Sequence, residues 1–344
     1  MVNCVMVANG LAINTAGEVS PCCKYSGHFG FVDTLQDINF ETLNDVEWPK
    51  GCVKCKNNES IGLTSKRQSY NKIYDKNNDY FLDISLGNYC NLKCRMCDEN
   101  CSTSWHKEAK LLGRDTPPGF NLSKEQIDSI FNKIDTSKKL TIEIKGGEPL
   151  MNPNAKFLFT KLKDLNARII LITNGTLLPD WLCEILPDLD IDFAISVDGV
   201  NNTYEYVRGD NTFSWEQCLK NIKKVEELIG TVRFNYVVQN YTINDMLNFD
   251  SMFEYITWIV LRNPYYLACN IMPDENKEPI KNKLEQLKNC PEGLIDFFMQ
   301  PCDQKLYRQF IDYSAKLDKF RNQSLLAATP HLVNIEGKTL YESI

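Results

Sequence analysis

The sequence is poor in the features that would take a chain into or across a membrane. No run approaches the roughly 18 uninterrupted apolar residues that span a bilayer. Apolar runs such as Ile169-Ile170-Leu171-Ile172 stop at once, here at Thr173-Asn174-Gly175. The first ten residues carry no positive segment and no sustained apolar core, so no secretory signal is read there and a cytoplasmic location is expected. Basic charge is scarce as well: 38 Lys and Arg face 45 Asp and Glu, a net charge of −7. Nucleic-acid binding selects a basic footprint, so that class of partner is disfavoured. Histidine is nearly absent; His28, His106 and His331 stand alone, in no ligand spacing, and read as structural or exposed. There is no P-loop, no dinucleotide-binding glycine pattern and no nucleophile-elbow motif, which leaves nucleotide-triphosphate, dinucleotide and serine-hydrolase chemistry without a carrier. No internal repeat or low-complexity segment occurs.

What the chain has in excess is cysteine: fourteen, of which nine fall in residues 1–101. In a reducing compartment clustered thiols point to metal or catalysis rather than to disulfides. The five later ones, Cys183, Cys218, Cys269, Cys290 and Cys302, share no ligand spacing and read as ordinary buried thiols.

At 344 residues the chain has room for one large α/β domain and a small module. Residues 1–79 are irregular and rich in glycine and cysteine, too loop-rich to be held by their own core, so a bound metal is the expected staple. From about residue 80 short β-branched runs alternate with helical patterns. Strands are expected at 81–86, 140–144, 168–173, 192–197, 231–238 and at either 257–262 or 265–271. Helices are expected near 103–112, 154–166, 180–186, 215–228 and 244–256. Strand–helix alternation argues for parallel βα units, curled into a barrel or an open sheet, with chemistry at the C-terminal strand ends. Gly146-Gly147-Glu148, Asn174-Gly175 and Ser196-Val197-Asp198-Gly199 all fall at such ends. The remainder reads as helices near 280–287 and 306–320 with a short irregular end. The expected division is 1–79, 80–272 and 273–344.

The sharpest motif is Tyr89-Cys90-Asn91-Leu92-Lys93-Cys94-Arg95-Met96-Cys97, in the loop after the first strand of the alternating region. Three thiolates at this spacing can occupy three corners of a four-iron cubane and leave one iron open, as catalytic metal sites leave one position free. A zinc knuckle, with Cys101 as fourth ligand, is the bland alternative; Cys101 otherwise reads as a bystander on the following helix. Trp105, just beyond, reads as packing.

This pattern resembles that of the radical S-adenosylmethionine (radical SAM) enzymes. Gly146-Gly147-Glu148-Pro149 and Ser196-Val197-Asp198-Gly199 with Tyr206-Val207-Arg208-Gly209 are similar to further motifs of that family, in order over residues 81–262. The resemblance implies a partial (β/α)6 TIM barrel. It implies a [4Fe-4S] cluster on Cys90, Cys94 and Cys97 whose open iron chelates SAM. An electron from a flavodoxin or ferredoxin then cleaves SAM to a 5′-deoxyadenosyl radical, which removes hydrogen from a substrate. Gly146, Gly147 and Glu148 would meet the SAM amino group, Ser196 and Arg208 its carboxylate, Met96 the adenine and Asn174 the ribose.

The N-terminal segment resembles the twitch module, half of a SPASM domain. Cys4, Gly17-Glu18-Val19-Ser20-Pro21-Cys22 and Cys52-Val53-Lys54-Cys55 are similar to its cysteine pattern, with the module ahead of the barrel instead of behind it. The resemblance implies a second, auxiliary [4Fe-4S] cluster on Cys4, Cys22, Cys52 and Cys55, for electron transfer or substrate anchoring, with Cys23 as packing or an alternate ligand. A Cys4 zinc site has the same spacing. The implied substrate is a peptide or protein side chain. A nucleoside, RNA or small molecule is the alternative within the class, and a zinc-stabilised binding module without catalysis the alternative outside it.

Overall fold

The computed structural model describes residues 4–344 except 44–45, 76, 166, 210–211 and 334. Among the described residues eight strands form one sheet: β1 (Gly10–Ile13), β2 (Val19–Ser20), β3 (Asp79–Ser85), β4 (Lys139–Lys145), β5 (Arg168–Thr173), β6 (Ile191–Ser196), β7 (Arg233–Val238) and β8 (Ile256–Val260), in the order β2-β1-β3-β4-β5-β6-β7-β8. From β3 to β8 every neighbour is parallel and consecutive, giving six βα strands of a barrel that stays open between its first and last members.

Alternation along the strands sorts the two faces. Leu82, Ile84, Ile142, Ile144, Phe193, Ile195, Phe234 and Tyr236 join the main apolar core with helix residues Leu158, Phe159, Leu162, Ile222 and Val225. The intervening residues, Asp83, Ser85, Glu143, Lys145, Ser196 and Asn235 among them, therefore line the other, inner face with polar groups. Such a face is costly to bury dry and suits a polar occupant.

The helices follow local signals. Trp215–Ile229 buries Trp215, Cys218, Ile222 and Val225 at helical spacing, starts with a Ser214–Gln217 capping box and stops at Gly230, whose φ of 81° few other residues adopt. A helix absent from the sequence reading, Lys124–Lys133, carries the same signal, a capping box of Ser123 and Gln126. The final strand is Ile256–Val260; the competing stretch at 265–271 forms short 3-10 turns. In the tail, Lys277–Leu284 and the long Gln304–Arg321 are helical, near the expected positions.

The N-terminal segment, expected to be too loop-rich to be held by its own core, adds two strands to the sheet. Its β1 pairs in parallel with β3, Leu11 opposite Leu82 and Ile13 opposite Ile84, while β2 folds back antiparallel. Leu11, Ile13 and Val19 enter the barrel's own core. The segment thus borrows a core that it cannot build from its own side chains. No helix among the described residues is long and apolar enough to cross a membrane.

Candidate active site

The loop carrying Cys90, Cys94 and Cys97 leaves the C-terminal end of β3 and is pinned from several sides by its own backbone. Gly147 N donates to Gly87 O (2.9 Å) and Glu148 N to Tyr89 O (2.8 Å), so the turn after β4 lies flat against the loop. This contact explains the paired glycines. A Cβ on Gly147 would stand 2.3 Å from Tyr89 O, and one on Gly146, at φ 141°, 2.6 Å from Gly87 O. Arg95 N donates to Val207 O (2.9 Å), Ser104 Oγ to Cys90 O (2.7 Å) and Trp105 Nε1 to Cys94 O (3.0 Å). Trp105 is fully buried and holds the loop by that bond, a more specific task than packing.

Cys90, Leu92 and Cys94 form a small buried cluster with Met96, Cys97 and Phe213 packed on it. Burial pushes the Cys90 thiol up to about 12, with Cys94 adding to the shift. Burial likewise raises Cys94, against the pull of the nearby Arg208 and Arg321 guanidinium groups. Thiols so placed ionise when a metal binds, which couples metal uptake to proton release. Cys101 stands in a turn, not on the following helix, and its thiol is hydrogen-bonded to Cys97. All fourteen cysteines are free thiols.

Glu148 is buried at the end of β4. Its carboxylate accepts from Thr173 Oγ1 (2.8 Å), Asn174 N (2.8 Å) and Leu150 N (3.1 Å), fastening β4 to β5; burial nonetheless raises its pKa. Asn174 turns its side chain onto the cysteine loop, with Nδ2 at 3.0 Å from Asn91 Oδ1 and 3.8 Å from Cys90 Sγ. Ser196 ends β6. Arg208 is buried in an ion pair with Asp198, which also accepts from Val237 N (2.6 Å), so its charge is already matched inside the protein.

A brace from the far end of the chain completes the loop's surroundings. Arg95 is fully buried, ion-paired with Asp318 on the helix Gln304–Arg321. It lies over the Tyr206 ring (3.5 Å to the centroid) and donates to Gln323 Oε1 (2.7 Å). From the same helix Tyr313 OH donates to Arg95 O (2.6 Å), while Arg321 donates to Lys93 O (2.7 Å) and pairs with the buried Glu108. The sequence offered no signal for these pairings, since the partners lie more than 200 residues apart.

The N-terminal cysteines converge separately. Cys4, Cys22, Cys52 and Cys55 line one cavity, closed by Trp48 and Arg67. Burial pushes Cys22 up to about 12 and Cys52 up to about 11, and raises Cys4. Arg67, ion-paired with Glu59, acts in the opposite sense on Cys4 and Cys52. Cys23, an exposed residue, points away into a second and larger cavity on the inner face of the sheet, where desolvation of its thiol by the cavity wall and the neighbouring Asp83, which accepts its hydrogen bond, raise it to about 11.

The chemistry of the donor sets fits iron–sulfur clusters. A cubane takes its thiolates on separate irons; Cys4, Cys22, Cys52 and Cys55 line one cavity, and Cys90, Cys94 and Cys97 pack in one cluster. The loop would hold a cluster through three thiols, the N-terminal cavity through four.

Residues 84–253 match the radical SAM superfamily. The chain is 24% identical over 219 residues to the radical SAM cyclopropyl synthase TigE of Paramaledivibacter caminithermalis, covering 60% of this chain and 45% of that protein. It is 27% identical over 244 residues to a probable GTP 3′,8-cyclase of Methanocaldococcus jannaschii, covering 64% and 76%. Among solved structures, anSMEcpe with bound AdoMet and Cp18Cys peptide is similar at a TM-score of 0.44 and 16% identity, covering 68% of this chain and 64% of that one. The chain thus spans less than half the length of TigE. It belongs to the radical SAM superfamily, whose enzymes use a [4Fe-4S] cluster and SAM.

Proposed function

We propose that this protein is a radical SAM enzyme acting on a peptide or protein side chain, with an auxiliary [4Fe-4S] cluster in its N-terminal segment. The observation that carries the reading is the preformed loop. Three thiols sit at the C-terminal end of the first barrel strand, locked against the Gly146–Glu148 turn and Asn174. In this reading Cys90, Cys94 and Cys97 hold the catalytic cluster. When bound, the cluster and SAM supply an electron and a carbon-centred radical that removes hydrogen from substrate.

The chain's own groups do the positioning. Gly146, Gly147 and Glu148 shape the place for the SAM amino group, Met96 and Phe213 supply apolar walls, and Ser196 offers a hydroxyl to the carboxylate end. Arg208, matched by Asp198, contributes field more than a free fork. Asn174 fixes the loop as well as bordering the ribose. Cys4, Cys22, Cys52 and Cys55 hold the auxiliary cluster, for electron transfer or substrate anchoring. A flavodoxin or ferredoxin supplies electrons. The working division remains 1–79, 80–272 and 273–344.

The inner cavity's charge supports a peptide over a nucleoside triphosphate. Lys24 and Lys145 line it together with Glu18 and Asp83, and Lys145 is already paired with Asp83 and Glu143, each at 2.7 Å. A polyphosphate needs unmatched cations; a peptide with mixed polar groups does not.

The test is anaerobic reconstitution with iron and sulfide, followed by reductant and SAM. Wild type is expected to release 5′-deoxyadenosine and Cys94→Ala to release none. Equal behaviour of the two would sink the reading. Iron near about eight atoms per chain supports two cubanes; about four, with one zinc, assigns zinc to the N-terminal site.

A further inference from the structure

The inner-face cavity holds a group of side chains that the proposed function leaves unused. Asp83, 2% exposed, projects from β3 beside Lys145 from β4, whose Nζ it shares with Glu143. The Cys23 thiol donates to Asp83 and itself lines the cavity. Thus a thiol, a buried carboxylate and an ammonium meet at one wall, the carboxylate and the ammonium on adjacent strands and the exposed Cys23 on the turn that follows β2.

The cavity's location gives this group its meaning. Lys145 is the last residue of β4, directly before the Gly146–Glu148 turn that packs on the cysteine loop. The wall also includes Thr15, whose side chain is hydrogen-bonded to Cys101, itself bonded to Cys97. Lys24 and Tyr25 line both this cavity and the one enclosing Cys4, Cys22, Cys52 and Cys55. The cavity is therefore linked through its lining residues to both sets of thiols. Cys23, chain neighbour of Cys22, is turned into it while Cys22 is turned out of it.

We propose that Cys23 is a hydrogen-atom donor to carbon radicals formed in this cavity, with Asp83 as the residue that positions its S–H. The inference rests on the radical SAM reading and extends it to the end of the reaction. The balance is simple. A carbon radical takes the hydrogen atom of the Cys23 S–H bond, forming C–H and leaving a thiyl radical. One electron from a ferredoxin-class donor and one proton from solvent restore the thiol. The substrate radical is then quenched without net oxidation of the substrate. A peptide whose side chain is rearranged or cross-linked by addition, and which finishes by regaining hydrogen, is the chemical class this device serves.

The experiment needs no identified substrate. The cluster-loaded full chain is turned over with SAM in deuterium oxide, with titanium(III) citrate as reductant and no added thiol. The mass of the 5′-deoxyadenosine is then measured. Wild type is expected to give product one mass unit heavier, with the deuterium drawn from Cys23 S–D. Cys23→Ser is expected to lose that label, and Asp83→Asn to reduce it; the labelled fraction, not the yield, is the readout. Independently, iodoacetamide mapping of the loaded protein is expected to alkylate Cys23 while Cys22 is protected, with iron content unchanged in Cys23→Ser.

Label of equal extent in wild type and Cys23→Ser overturns the inference alone. So does protection of Cys23 from alkylation, or loss of a cluster's worth of iron in Cys23→Ser, since Cys23 would then be a ligand. Failure of wild type to form any 5′-deoxyadenosine overturns the underlying reading and the inference with it.

Discussion

Cys90, Cys94 and Cys97 come from one stretch of eight residues, whereas Cys4, Cys22, Cys52 and Cys55 come from three separate segments of the first 55. The barrel loop is fastened by the turn after β4, by Trp105 and by the helix Gln304–Arg321, and Arg95 within it is fully buried. The N-terminal cavity has a modest apolar cluster beneath it (Val5, Met6, Tyr70 and Phe81), and its Arg67–Glu59 pair is partly exposed. The barrel loop is thus fixed on several sides by the fold, whereas the N-terminal cavity has fewer such contacts. In the proposed reading a bound metal therefore has more to hold at the N-terminal site than at the loop.

The largest expected effect follows from removing metal. Anaerobic chelation should sharply raise amide hydrogen exchange across residues 20–65, while residues 84–110 and the barrel strands stay protected, as measured by mass spectrometry. Structural metal sites contribute on the order of 10 kcal/mol to small domains. Uniform loosening, or earlier loss in the 90–97 loop, would break the contrast.

The next sharpens it through two arginines. Arg95→Ala leaves Asp318 without its buried cation and should cost about 3–5 kcal/mol in denaturant unfolding. Asp318 keeps its bonds from Tyr206, Tyr341 and Leu325 N, so the fold survives to be measured. Arg67→Ala, at the looser site, should cost about 1 kcal/mol or less in the apo protein. Equal losses would mean that the two sites are held alike.

The smallest effect concerns the C-terminal segment beyond the helix Gln304–Arg321, outside both cysteine sites. His331 lies where Asn276 Nδ2 donates to its backbone oxygen, and burial lowers its ring pKa from 6.5 to about 4, with Lys283 adding to the shift. Between those values the unfolded chain binds a proton that the folded chain refuses, so stability falls as pH drops from about 6.5 to about 4. Allowing for partial exposure, about 1–2 kcal/mol should be lost over that window. His331→Leu should flatten this part of the pH profile, read from thermal unfolding; an unchanged slope would assign the acid sensitivity elsewhere.

Much of this was legible without coordinates. The strands at 168–173 and around 140–144 and 192–197 were readable because β-branched runs ended in Gly or Asn turns, and the helix at 215–229 because its apolar positions repeat at helical spacing. The helix Lys124–Lys133 could have been found from Ser123 and Gln126. The β1–β3 pairing was hidden, because a four-residue strand in a cysteine-rich segment carries too little local pattern.

The sequence by itself determined the grouping of the cysteines and their order relative to the strand-end motifs, since ligand spacing and turn chemistry are local properties of the chain. Tertiary structure alone decided that Cys22 faces the N-terminal thiols while Cys23 faces the inner cavity. It alone set Arg95 on Asp318, and it spent the backbone donors of the Gly147–Glu148 turn on the cysteine loop. These are contacts between residues distant in sequence, or choices between neighbours of identical type. Only packing against the rest of the fold makes one arrangement cheaper than the other.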